Sequence, residues 1–133
     1  MEQSFSKDPV GHIKLSVSNF KQSHDFYDCI FRKLGFTKIS QKEESAGWVT
    51  REGFGIWISQ AKHQEPKHVF SAPGLHHLCL KAHSIEEVDA VYKIVKDKTT
   101  IFDKPQAYPQ YTEKYYAVFF SDPDSMKLEV AYY

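Results

Sequence analysis

His12-Ile13-Lys14-Leu15-Ser16-Val17 alternates polar and apolar residues, and His77-Leu78-Cys79-Leu80-Lys81-Ala82 repeats that alternation in the same phase. A period of two is the pattern of a β-strand with one covered face. The two stretches stand 65 positions apart, from 12 to 77, and the same offset relates Phe20 to Ile85 and Tyr27 to Tyr92. A matching phase at a fixed offset predicts a chain built from two copies of one structural unit.

Each strand leads into a helix with its own start signal. Ser84-Ile85-Glu86-Glu87 fits the S-x-x-E capping box, in which the serine hydroxyl and the glutamate satisfy free backbone N–H groups. Asn19-Phe20-Lys21-Gln22 is a weaker version with an asparagine cap. Helical spacing puts Phe26, Tyr27, Ile30, Phe31 and Leu34 on one face of the first helix, with Gly35 as its stop, and Ile85, Val88, Val91, Tyr92 and Val95 on one face of the second. Strands are then expected at about Phe36–Gln41, Gly47–Arg51 and Gly55–Ser59, and at about Ile101–Lys104, Tyr115–Phe120 and Met126–Tyr132. The last two flank Ser121-Asp122-Pro123-Asp124-Ser125, which has turn chemistry at nearly every position. The expected fold is α+β: two βαβββ modules forming a curved mixed sheet around a cleft, with the helices on the outer face. Module 1 covers about residues 10–60 and module 2 about 74–133 of a single domain, and the Lys-, His-, Gln- and Pro-containing stretch 60–73 connects them.

Lys plus Arg equal Asp plus Glu at 17 each, and the positive charges are scattered, so no field draws in nucleic acid or anionic lipid. No stretch approaches the roughly 20 apolar residues that span a bilayer. Met1 to Pro9 lacks the apolar core of a signal peptide. Cys29 and Cys79 form neither a C-x-x-C motif nor a disulfide framework, so a reducing cytoplasm is the expected compartment.

Alternation also sorts the chemistry-bearing residues. With Ile13, Leu15 and Val17 under the helix, His12, Lys14 and Ser16 face the other way, as do His77, Cys79 and Lys81 in the second copy. On the last strand Leu128 and Val130 are core positions, which leaves Lys127, Glu129 and Ala131 on the open face. Two imidazoles and a carboxylate form a donor set for a divalent ion such as Zn, Mn, Ni or Fe, and three protein ligands leave positions for water or substrate. His12, His77 and Glu129 are therefore the candidate metal ligands.

Gly11-His12-Ile13, Phe26-Tyr27, Leu34-Gly35-Phe36, Gly74-Leu75-His76-His77-Leu78 and above all Phe120-Ser121-Asp122-Pro123-Asp124-Ser125-Met126-Lys127-Leu128-Glu129 resemble the vicinal oxygen chelate superfamily. That superfamily includes glyoxalase I, fosfomycin-resistance proteins, methylmalonyl-CoA epimerase, extradiol dioxygenases and bleomycin-resistance proteins. The resemblance covers nearly the whole chain after residue 9. It puts the first-strand ligand on His12, the second-module ligand on His77 and the final carboxylate on Glu129. His76, out of phase with Leu78 and Leu80, is expected on the helix-facing side or the strand edge.

The pattern fits none of these branches in full, which points to a separate subgroup. Trp57 stands where glyoxalase I and the epimerase carry a fourth ligand, and indole cannot bind a metal ion. Ser16 stands where glyoxalase I has an arginine for glutathione, and Lys14 replaces a fosfomycin-branch threonine. Trp57, Lys14, Lys81 and Tyr115 are the candidate substrate contacts, with Tyr108, Tyr111 and Tyr116 in the same tyrosine-rich stretch as Tyr115. The resemblance implies a homodimeric, metal-dependent enzyme acting on a small oxygen-rich molecule. In it the metal chelates adjacent oxygens as a Lewis acid, with lyase or isomerase chemistry ahead of oxygenation. The alternatives are a metal-free binding protein of the bleomycin-resistance kind and a fosfomycin-type transferase.

Overall fold

The computed structural model describes residues 9–133. The stretch Met1 to Pro9 read above against a signal peptide therefore lies, but for Pro9, outside the described residues. The chain divides into two compact units, the first ending at Gln64 and the second running from Glu65 to Tyr133.

In the first unit, β1 (His12–Val17) is followed by α1 (Phe20–Lys33), β2 (Thr37–Gln41), β3 (Ser45–Val49) and β4 (Gly55–Gln60). The strands lie in the order β1-β4-β3-β2, with β1 parallel to β4 and the other pairs antiparallel. Ile56 and Ile58 on β4 face the same way as Trp48 and Ala46 on β3, all fully buried with the Phe26, Tyr27, Ile30 and Phe31 face of α1. Trp48 carries its indole N–H into this core, where Asp28 on α1 accepts it at 3.0 Å. Burial of Asp28 raises its pKa, but the Trp48 N–H together with Lys38 and Arg32 outweighs it, so the carboxyl stays below its usual range.

Both ends of α1 are closed by local chemistry. The Asn19 side chain accepts the Gln22 N–H at 3.1 Å. At the C-terminus Gly35 takes φ +86°, its N–H reaches Arg32 O at 3.1 Å, and the Phe36 N–H reaches Phe31 O at 2.8 Å. That is a Schellman motif, completed by the Phe36 ring stacking on Phe31 at 4.9 Å.

The second unit repeats the plan: β5 (Leu78–Lys81), α2 (Ile85–Val95), β6 (Ile101–Ala107), β7 (Tyr116–Ser121) and β8 (Lys127–Tyr132), in the order β5-β8-β7-β6. β5 runs parallel to β8, as β1 does to β4. The duplicated α+β fold inferred from the 65-residue offset is thus present as two four-stranded mixed sheets of one topology, each with its helix.

Three details depart from expectation. Ile85 is 41% exposed, so α2 buries Val88, Val91 and Val95 without it. The Ser84 hydroxyl caps α2 by accepting the Glu87 N–H, but the Glu87 carboxylate takes the His83 N–H, not that of Ser84. β6 also runs past Lys104 through Pro105 to Ala107. β6 is an edge strand with a register shift between Asp103 and Gln106, the setting in which a missing N–H is tolerated.

The hairpin between β7 and β8 is tied by one side chain. Asp122 Oδ1 accepts the N–H groups of Asp124 and Met126, both at 2.8 Å. Ser125 sits at φ +68°, a left-handed conformation that suits glycine better.

Candidate functional site

Strand register decides which side chains meet. Cys79 on β5 pairs with Glu129 on β8, which pairs with Phe119 on β7. These residues share the sheet face opposite the one formed by Leu80, Leu128, Val130, Val118 and Phe120, the buried positions that share a face with α2. Ala117, Phe119 and Ala131 are buried on the open face, with Cys79, Tyr108 and Tyr115 packed against them. That packing, and not the strand pattern, leaves Glu129 only 3% exposed.

Glu129 is held from both sides. Its Oε1 lies 3.2 Å from Nε2 of His77, and its Oε2 accepts a short hydrogen bond from the Tyr115 hydroxyl. Burial, and then the bond to Glu129, push the Tyr115 phenol well above its ordinary range. Burial and the neighbouring Glu129 charge push the Cys79 thiol up to about 12. Both groups therefore keep their protons at neutral pH: Tyr115 acts as a donor and Cys79 as an uncharged thiol.

His76, expected on the helix-facing side or the strand edge, departs from that expectation. It lines the same cavity, with its Nδ1 2.8 Å from Nδ1 of His77. β5 begins only at Leu78, so no ladder imposes alternation on residues 76 and 77. The doubled histidine was the available signal.

The cavity beside the His77–Glu129 pair measures about 400 Å³, and Tyr108, Tyr111, Tyr115 and Phe119 form its aromatic wall. Tyr108 stacks on Tyr111 with centroids 5.4 Å apart. Tyr116 leaves this group, because it is one strand position onward; its hydroxyl donates to Asp89 on α2 at 2.7 Å.

Lys81 is exposed, with its ammonium 4.2 Å from the Tyr133 ring centroid. In the first unit Lys14 pairs with Trp57, which in turn pairs with Gly47. By strand register Trp57 is thus the first-module counterpart of Glu129, and its ring lies against Gly47, where an added Cβ would come within 2.5 Å of it. His12 is exposed at the start of β1 opposite Gly55. Within the first unit Lys14 lines a cavity of about 430 Å³ with Ser16, Ser59 and Lys62.

His77 and Glu129 suit a shared metal ion. Donors about 2.0–2.2 Å from a zinc-sized ion, at angles between octahedral and tetrahedral, lie about 2.8–3.6 Å apart, and the observed separation is 3.2 Å. His76 would then accept the Nδ1–H of His77, and Tyr115 would hold the second carboxylate oxygen, the kind of support that metal ligands require. Among the described residues no group of three or more His, Cys, Asp or Glu side chains is gathered closely enough to hold an ion.

Residues 10–130 match the Glyoxalase/Bleomycin resistance protein/Dioxygenase superfamily, and the chain belongs to that superfamily. An uncharacterised Bacillus subtilis protein, YqjT, is 30% identical over 122 residues, covering 90% of this chain and 94% of that one. A crystal structure of a candidate glyoxalase from Bacillus halodurans superposes with a TM-score of 0.80 at 22% identity, over 96% of this chain and 97% of the other. A glyoxalase/bleomycin resistance protein from Albidiferax ferrireducens gives 0.76 at 21% identity, over 92% and 98%. At these identities the structural likeness shows the fold alone. Among the described residues no helix is long and apolar enough to cross a membrane.

Proposed function

We propose that the protein is a metal-dependent enzyme acting on a small oxygen-bearing molecule, with His77 and Glu129 as two ligands of a divalent ion and His12 as the third. The observation that supports it best is the 3.2 Å approach of His77 to a buried carboxylate whose other oxygen is already taken by Tyr115. A carboxylate held in this way presents one oxygen to an ion. His12 occupies in the first module the position of His77 in the second, and it would come from the same chain or from the second copy in a cytoplasmic homodimer. A bound ion would supply Lewis-acid stabilisation to a developing oxyanion. The Tyr115 hydroxyl would keep Glu129 oriented, and the aromatic wall would exclude water from the substrate. With no second carboxylate at Trp57, lyase or isomerase chemistry would draw its proton transfer from Glu129, the histidines or substrate-borne groups.

Metal content and thermal stability test this reading. Protein prepared without chelator should carry close to one equivalent of metal, and a saturating ion should stabilise it by about 3–4 kcal/mol at 100–1,000 times Kd. His12→Ala, His77→Ala and Glu129→Gln should each abolish that gain. If Zn, Mn, Ni and Fe all leave the melting temperature of the parent protein unchanged, the metal reading fails. Subunit exchange between the His12→Ala and His77→Ala proteins would restore one intact site in each mixed dimer only if the modules pair between chains.

A metal-free binding role has its own support. His77 Nε2 and Glu129 Oε1 already face each other at 3.2 Å with no ion between them, and the aromatic cavity needs no ion to hold a ligand. Absence of metal binding together with tight ligand binding would select it.

A further inference from the structure

Lys127, at the start of β8, lines the same cavity as Glu129. Its ammonium stands 4.8 Å from the ring centroid of Phe119, 5.1 Å from that of Phe70 and 5.9 Å from that of Phe102. Among the described residues no carboxylate forms an ion pair with it. Each aromatic face returns only about 0.5–1 kcal/mol to a cation, less than the water it displaces. A half-buried ammonium kept in this way favours an anion that enters the cavity.

The rest of the wall is shaped for an apolar body. Tyr108 meets Phe119 at 81° and Tyr115 at 88°, which makes an aromatic corner. The Tyr108 hydroxyl is buried and meets no hydrogen-bond partner, a vacancy that a polar group on a ligand would fill. At about 400 Å³ the cavity is in the range that takes a small molecule. Asp103 and Glu129 also line it, and their charges oppose an anion; Tyr115 and His77 cover the Glu129 oxygens, and the pull toward Lys127 must exceed the repulsion that is left.

We propose that this cavity binds a small organic acid, its ring or flat body against Tyr108, Tyr115 and Phe119 and its anionic group on Lys127. The inference names the substrate class of the site proposed above and rests on that reading for its catalytic meaning, but its binding test is independent of any metal. Calorimetric titration of the full chain after EDTA treatment would use benzoate, phenylphosphonate, neutral benzamide and inorganic phosphate. Benzoate should bind at least about tenfold more tightly than benzamide, the loss expected for one charge-assisted contact. Lys127→Met should reduce benzoate to the benzamide level, and Lys127→Arg should retain most of the affinity; Lys127→Gln replaces the Met variant if that one does not fold.

Equal binding of benzoate and benzamide would overturn the proposal, as would an unchanged benzoate affinity in Lys127→Met. Inorganic phosphate binding as tightly as phenylphosphonate would remove the aromatic part of it. Repeating the titration with added Mn separates the two readings. Lys127-dependent benzoate binding without any metal binding supports the acid site and sinks the metal site. Benzoate binding that needs Mn and ignores Lys127 puts the anion on the ion and overturns the acid site.

Discussion

Removing the hydroxyl of Tyr115 should measure how firmly Glu129 is held. Glu129 is 3% exposed and its Oε2 accepts from Tyr115, so Tyr115→Phe leaves a buried carboxylate oxygen without a donor. Loss of a partner to a buried charged group costs about 2 kcal/mol or somewhat more. For a chain of this length each kcal/mol moves the melting temperature by about 3–5 °C, so a fall of about 6–10 °C is expected. The assay is thermal unfolding followed by circular dichroism in EDTA, so that metal does not contribute. Tyr133→Phe is the control: Tyr133 stacks on Tyr115 at 4.8 Å but is half exposed, and loss of its hydroxyl should cost less than about 0.5 kcal/mol. If metal binds, Tyr115→Phe should also weaken it by about 10–100-fold, because the supporting contact is gone. A Tyr115→Phe protein that melts within about 1 °C of its parent would refute the claim that the phenol holds Glu129 in place.

Three further outcomes are expected. Ser125→Gly relieves a left-handed residue at φ +68° and should stabilise the protein by about 0.5–1 kcal/mol in urea unfolding, after allowance for glycine's greater freedom when unfolded; a loss would mean that the serine side chain contributes something of its own. Gly47→Ala puts a Cβ 2.5 Å from the Trp57 ring and should cost about 1–3 kcal/mol with a change in tryptophan emission; neither would be seen if Trp57 were free to move aside. Burial and then the bond to Asp89 push the Tyr116 phenol from 10.0 up to about 12. A raised folded pKa means that this stability is complete below pH 10 and is lost as pH rises toward 12. Stability measured from about pH 9 to about pH 11 should therefore fall more steeply in the parent than in Tyr116→Phe, and identical slopes would refute the assignment.

Much of the architecture was legible because both strand periods and helix caps are local. The 65-residue offset captured two modules that share a topology, and strand phase put His77 and Glu129 near one face before any contact was known. Phase misjudged His76, because that residue precedes the ladder that enforces alternation. It also misjudged the length of β6, because Pro105 reads as a strand breaker unless the strand is known to lie at an edge.

The sequence by itself determined the class: the repeat, the hairpin Phe120 to Glu129 and the family to which residues 10–130 belong. Tertiary structure alone decided that Glu129 is buried, that Tyr115 and His77 take its two oxygens, and that three phenyl rings surround Lys127. The reason is physical. Alternation tells which face a strand residue occupies, but not what covers that face. Here the cover comes from the tyrosine-rich segment between β6 and β7, which folds back by bonds such as Tyr108 N–H to Tyr115 O at 2.8 Å and has no period to read.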